Sequence, residues 1–154
     1  MNKPRYMEEL MKIIFLWLGI AFVFMGILCF LGILKPNASS MVQEPTMLGI
    51  IFSLLGIVFI VVQTIFKILA ANKNKLYSEL LSSGTRINGI VEKVYLQKYM
   101  QYGDKHPYRI LYTYTYQGEV HHHKSYFLWD KPNFAPGDSI EVYINDLGKS
   151  TVVL

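Results

Sequence analysis

Hydrophobic positions fill two long runs, Ile13 to Leu34 and Met47 to Phe66, and neither contains a charged residue. As helices rising about 1.5 Å per residue, their 22 and 20 residues reach roughly 33 and 30 Å, which matches the hydrocarbon core of a bilayer. Each run therefore predicts one transmembrane helix. The first run is longer than the apolar core of a signal peptide and lacks a small-residue cleavage site, so it is expected to stay attached. Cys29, the single cysteine, follows Ile27 and Leu28 rather than the small residue that precedes a lipidated cysteine, and reads as a buried apolar residue. A chain of 154 residues also has too little other mass to cover two such helices in a water-soluble core.

Between the runs, Lys35 to Thr46 is polar with a proline near each end, as suits a short turn between antiparallel helices. Its Asn37-Ala38-Ser39 matches a glycosylation acceptor only formally. In lipid, helices associate through close approach at small residues. Gly19 and Gly26 lie seven apart on the first helix, and Gly49, Ser53 and Gly56 form a stripe on the second. These five residues are the expected packing surface of a hairpin, with a homodimer as the alternative. Neither run carries the ionisable side chain that ion or proton pathways need at membrane depth, which argues against a channel or transporter.

After Phe66 the helical pattern continues through Leu69, Leu76, Tyr77 and Leu80 and stops at Gly84. From Thr85 onward the period changes to two, and aromatic and β-branched residues become frequent. The fold class predicted is a membrane α-helical hairpin followed by a small all-β, barrel-like domain. Residues 1–83 form the hairpin with a cytoplasmic helix extension, and residues 84–154 the β-domain. Within the first strand, Ile87 and Val91 share one parity and Ile90, Val94 and Leu96 the other, so a bulge is expected between Gly89 and Lys93. Gln117-Gly118 predicts a two-residue hairpin turn. That turn would pair Tyr114 with His121, Tyr112 with His123, Ile110 with Ser125 and Tyr108 with Phe127 on the core face. Pro136-Gly137 suits the centre of a type II turn and leads into a strand with Ile140, Val142 and Ile144 inward. Asn145 to Gly148 then turns the chain into a last strand, Ser150 to Leu154. Closure into a barrel would remove the exposed edges.

Charge adds orientation. Lys3, Arg5 and Lys12 precede the first run and Lys67, Lys73, Lys75 and Arg86 follow the second, whereas the connecting loop has Lys35 offset by Glu44. Basic residues are retained on the cytoplasmic side, so both termini are predicted to be cytoplasmic and the membrane to be the bacterial inner membrane.

The order of two membrane helices, a Tyr-rich strand ending in Tyr116-Gln117-Gly118, and a closing APGDSIEVYIN with a short terminal strand resembles a widespread bacterial family of small membrane proteins of unknown function. Members carry two transmembrane helices and a compact C-terminal β-barrel domain. The chain departs from them at Asn145 to Lys149, where they often carry prolines. The resemblance implies the architecture and brings no catalytic residue or substrate with it.

Candidate chemistry is sparse. His121 and His123 point to one side of a strand and could share a metal if a third ligand converged, but no cysteine or spaced carboxylate accompanies them, so no metal or cofactor is expected. Tyr112, Tyr114 and Trp129 are the candidate binding residues. No nucleophile, acid/base pair or glycine-rich phosphate loop is recognisable, which points away from an enzyme. The net charge of +4 and the mixture of Tyr95, Tyr99, Tyr102, Tyr108 and Trp129 with Lys93, Lys98, Lys105 and Arg109 raise a nucleic-acid-binding barrel as a competing class. Aromatic residues in a small β-domain are usually core, and much of the basic charge flanks the membrane, so nucleic acid is not the expected partner. The reading that remains is a non-enzymatic membrane protein whose cytoplasmic β-domain contacts a protein partner or another copy of itself. The bilayer is its other partner. Alternatives are a membrane-tethered nucleic-acid or ligand-binding barrel and a toxin-protection (immunity-type) membrane protein.

Overall fold

A computed structural model describes residues 3–35 and 44–153. Two helices are followed by five strands: α1, Met7–Phe30; α2, Pro45–Ser83; β1, Thr85–Leu96; β2, Tyr108–Tyr116; β3, Glu119–Lys124; β4, Ser139–Ile144; and β5, Ser150–Val152. Most of the expected interhelical turn, including Asn37-Ala38-Ser39, lies outside the described residues. The chain divides into two compact units, Met7–Ala71 and a second made of Met1–Tyr6 with Asn72–Leu154. The unit that holds the sheet is thus larger than residues 84–154, because it takes in the end of α2 and the residues before α1.

In the helical unit the first apolar run does not stay helical to Leu34. Gly32 adopts a positive φ of 69°, its N–H donates to Cys29 O at 3.0 Å, and Ile33 N–H donates to Leu28 O at 3.0 Å. This pair of bonds is a Schellman cap, and it ends α1 at Phe30. The two helices meet at the expected small residues. A Cβ added to Gly56 would lie 2.8 Å from Val23 N and 3.0 Å from Gly19 O, and one added to Gly26 would lie 3.0 Å from Gly49 O and collide with Ser53 Oγ. Backbone therefore touches backbone, which only glycine permits. Beside this seam runs an aromatic ladder that the sequence reading missed. Phe15 stacks on Phe66 at 5.6 Å between ring centroids and meets Phe59 tilted at 5.9 Å, and Phe22 meets Phe59 and Phe52 tilted at 5.3 and 5.9 Å. Phe15 and Phe22, like Phe52, Phe59 and Phe66, recur every seven residues, the repeat that keeps one face of each helix on its partner.

The sheet is antiparallel, with strand order β3-β2-β1-β4-β5, and it curls into a half-barrel. Helix α2 leads into it through a single residue, Gly84, whose N–H donates to Leu80 O at 2.9 Å. The bulge in β1 falls between Val91 and Lys93, within the expected interval. At that point Val91 bonds the turn before β4, donating to Asp138 O at 2.9 Å and accepting from Gly137 N–H at 2.8 Å. Gly137 takes a φ of 96° and Asp138 N–H closes the turn onto Ala135 O at 3.1 Å, as a type II turn requires. The β2–β3 hairpin has the expected register, Tyr114 with His121 and Tyr112 with His123, across Gln117 and Gly118 at φ of 52° and 83°. Ser125 still faces Ile110 as expected, its N–H donating to Ile110 O at 2.9 Å, and beyond it the register slips. The Ser125 hydroxyl accepts from Ile110 N–H at 2.9 Å and donates to Tyr126 O at 2.9 Å, and Tyr108 then pairs with Leu128 rather than Phe127. The core lies on the concave face: Val91, Ile110, Tyr112, Tyr114, Ile140, Val142, Ile144 and Val152.

Candidate binding cleft

Curling without closure leaves β3 and β5 each with one strand neighbour, so the half-barrel has an open seam. A cleft of about 330 Å³ lies along it. One wall is His123 and Lys124 of β3 with Ser125 and Tyr126 after it. The opposite wall is Ser150, Thr151 and Val152, which are β5 itself. Arg109 and Tyr112 of β2, Tyr6, and the α2 residues Lys73, Leu76, Tyr77 and Leu80 complete the lining. Lys73, Arg109 and Lys124 bring three formal positive charges to this lining, and no carboxylate belongs to it.

The residues before α1 are held on the sheet by backbone and aromatic contacts. Phe127 N–H donates to Arg5 O at 2.9 Å, and the buried Trp129 Nε1–H donates to Pro4 O at 2.7 Å. Lys3 lies 3.6 Å from Asp130. The Arg5 guanidinium sits 5.0 Å over the Tyr77 ring and 5.8 Å over that of Tyr126, and these two rings meet edge to face at 5.7 Å. Lys73 Nζ lies 5.6 Å over Tyr6. Cation–π contacts of this kind fix both the charge and the ring, contributing on the order of 0.5–2 kcal/mol each. On the other wall Arg109 Nε–H donates to Ser125 O at 3.0 Å while its guanidinium covers the Phe127 ring at 4.9 Å. One of its five N–H donors is thereby used, and the group is oriented.

Two groups beside the cleft have displaced protonation equilibria. Burial, helped by Tyr114 and opposed by Ser150, pushes the Tyr112 hydroxyl up to about 12, so near neutral pH it is a hydrogen-bond donor. Burial and the neighbouring His121 lower His123, which favours its neutral imidazole. His121 and His123 lie against Tyr114 at 5.3 and 5.5 Å between centroids, as their shared parity predicts. Among the described residues, no group of three or more His, Cys, Asp or Glu side chains is placed to hold a metal ion. His122, on the opposite face, is 2.8 Å from Glu92, the extra residue of the bulge.

Of the three candidate binding residues, Tyr112 borders the cleft, although only 1 % of its surface is exposed. Tyr114 at 3 % and Trp129 at 8 % are absorbed into packing. The aromatic and basic residues that raised nucleic acid differ in exposure and pairing. Tyr99 is 97 % exposed, Trp129 is buried, and Lys105 is paired with Asp130 at 2.5 Å, which raises its pKa and lowers that of Asp130. Sequence reasoning missed Tyr6, Lys124, Ser150 and Thr151 as neighbours, and it read Lys73, with Lys67 and Lys75, as a topology signal, contact with anionic lipid headgroups being the alternative. Nothing local joins residues so far apart. The one available hint was Arg5-Tyr6, a cation and an aromatic ring placed ahead of an apolar helix. No protein-family model matches the chain, and neither a curated protein nor a solved structure shows significant similarity to it.

Proposed function

We propose that the chain is an integral protein of the bacterial inner membrane whose two helices anchor a cytoplasmic β-domain, and that this domain binds a partner and does not catalyse a reaction. The observation that carries the membrane part is the exposure of the helices. Only 17 % and 11 % of the residues in their most apolar stretches are buried, and those residues lie at the glycine seam. The remaining surface presents Trp17, Phe24, Leu54, Ile57, Val58 and Ile65 outward. In water such a surface would be costly at about 25 cal/mol per Å², whereas in lipid it is the natural exterior. Residues 3–6 seated on the segment 127–129 fit a chain that crosses twice and returns. The basic residues flanking the two apolar runs favour the cytoplasm for both ends.

Support for a binding role is the cleft itself, which gathers cations and hydroxyls at the open edge of a sheet with a settled core. The partner is a protein, a second copy or a ligand that meets this seam. The anchor is tested by flotation and alkaline carbonate extraction of the expressed chain, together with reporters fluorescent only in the cytoplasm fused at either end. We expect the protein to float with membranes, resist carbonate and light both reporters. Release by carbonate, or a dark reporter at either end, would overturn this reading.

A further inference from the structure

We propose that the seam between β3 and β5 is a binding site for a phosphate-bearing group, either the headgroup of an anionic phospholipid or a soluble phosphate ester. This deepens the proposed function and rests on its anchored, partner-binding reading. The cleft is bordered by Lys73, Arg109 and Lys124, and no carboxylate is among its lining residues, a composition that suits a monoanionic or dianionic group. Its volume of about 330 Å³ lies at the small end of small-molecule sites and is suited to a headgroup rather than to a macromolecular segment. Arg109 is the chemically specific member. Its guanidinium is held by Ser125 O and by the Phe127 ring, and an oriented planar fork matches two phosphate oxygens at once.

Hydroxyl groups supply the neutral donors that such a site needs. Tyr112, Ser150 and Thr151 border the same space, and each hydroxyl carries a proton to donate near neutral pH. The seam exists because the sheet does not close, so edge strands that would otherwise invite pairing with another chain are here flanked by charge. Lys73 stands two residues after Ala71, the last residue of the apolar helical unit. Along the chain, the site thus begins where a membrane segment ends. A lipid headgroup is the source that this spacing favours, and a free phosphate ester has the same recognition chemistry.

The experiment uses the full chain reconstituted in vesicles of phosphatidylcholine alone or with 30 % phosphatidylglycerol, checked by flotation, with the melting of the β-domain followed by near-ultraviolet circular dichroism. Glycerol 3-phosphate is titrated into the neutral vesicles, with sodium chloride at matched ionic strength as control. A site filled to about ten times its Kd should raise Tm by roughly 5 °C or more. A rise in phosphatidylglycerol vesicles alone assigns the headgroup as ligand, and a rise with glycerol 3-phosphate assigns the soluble ester. In either case Lys124→Gln, at an exposed edge position where folding is not at stake, should lose at least half of the rise. Arg109→Lys, which keeps the charge and loses the fork, should do the same, and Lys98→Gln, remote from the cleft, should keep the rise in full. No rise in either arm overturns the site, as does an equal rise in all variants, which would mean diffuse charge attraction. Failure to float with vesicles would instead sink the membrane reading, so the two failures are distinguishable.

Discussion

Cutting the chain at Gly84 removes more from the β-domain than a linker. The fragment 84–154 loses Arg5 O and Pro4 O, the acceptors for Phe127 N–H and Trp129 Nε1–H. At about 1 kcal/mol net per hydrogen bond, that is roughly 2 kcal/mol. It also loses Leu80, which is 2 % exposed and borders the same cleft as Tyr112 and Val152. Burying a leucine fully contributes about 1.5–3 kcal/mol. The edge-to-face contact between Tyr77 and Tyr126 adds roughly 0.5–1.5 kcal/mol. The sum is about 4–6.5 kcal/mol. A domain of this size has a total stability of about 4–10 kcal/mol at the usual 0.05–0.15 kcal/mol per residue.

Residues 84–154 alone should therefore be marginal, and a chain carrying residues 1–6, a short Gly/Ser linker and residues 72–154 should be stably folded. With about 4–8 °C per kcal/mol for a domain of 60–100 residues, the linked chain should melt at least about 15 °C higher. Thermal unfolding followed by near-ultraviolet circular dichroism reads this directly. The fragment 72–154, which keeps Leu80 and Tyr77 but lacks the two acceptors, should fall between them. If residues 84–154 melt cooperatively within about 3 °C of the linked chain, the N-terminal segment and the end of α2 are passengers, and the energetic reasoning is wrong.

Gly56→Ala should destabilise the helix pair by roughly 1–3 kcal/mol, since the new Cβ would press on Val23 N and Gly19 O, which cannot move without separating the helices. Unfolding by sodium dodecyl sulfate in mixed micelles measures the loss, and an unchanged midpoint would show that the glycine seam does not hold the pair. Burial and the neighbouring His121 hold His123 below the ordinary imidazole pKa of 6.5 when folded, so the unfolded chain takes up the proton first as pH falls. The stability present above pH 6.5 should then be lost progressively below it. In the soluble linked chain, His123→Gln should flatten the fall in Tm between pH 7 and 5, and an identical slope in variant and parent would exclude His123 as its source.

Local chemistry made much of this fold legible. Gln117-Gly118 fixed the β2–β3 register because both residues can take positive φ, and the parity conflict between Val91 and Val94 required an extra residue where Glu92 sits. The five small residues on the helices marked their contact because close approach excludes side chains. What was not legible depends on partners distant in sequence. A serine hydroxyl replacing a backbone group shifts Tyr108 from Phe127 to Leu128, and alternation alone carries no sign of that. Gly32 ends α1 inside an apolar run, where hydropathy sees no boundary. The open seam was missed because five strands of this spacing fit a barrel or a half-barrel equally well. The difference lies in whether α2 residues such as Leu80 occupy the gap, and the strand pattern does not encode that. Tyr112, expected both on the core face and as a binding residue, is core at 1 % exposure and still borders the cleft.

The N-terminal contact links topology to folding. Trp129 Nε1 and Phe127 N find their acceptors in Pro4 and Arg5, at the opposite end of the chain. A chain inserted with only one crossing, or with its N-terminus across the bilayer, would leave both donors without these partners and uncover Trp129. If the chain is anchored as proposed, the folded β-domain requires an even number of crossings between Tyr6 and Asn72, and the two apolar helices would provide them. In that reading positive charge selects which side both ends occupy, and the Pro4–Trp129 and Arg5–Phe127 bonds stabilise only the arrangement in which both ends share it. Under the proposed reading, the same contacts set Arg5 over the Tyr77 and Tyr126 rings at the mouth of the seam. Correct insertion and a completed cleft then depend on one another, because a misinserted chain would lack Tyr6, and with it part of the cleft's lining.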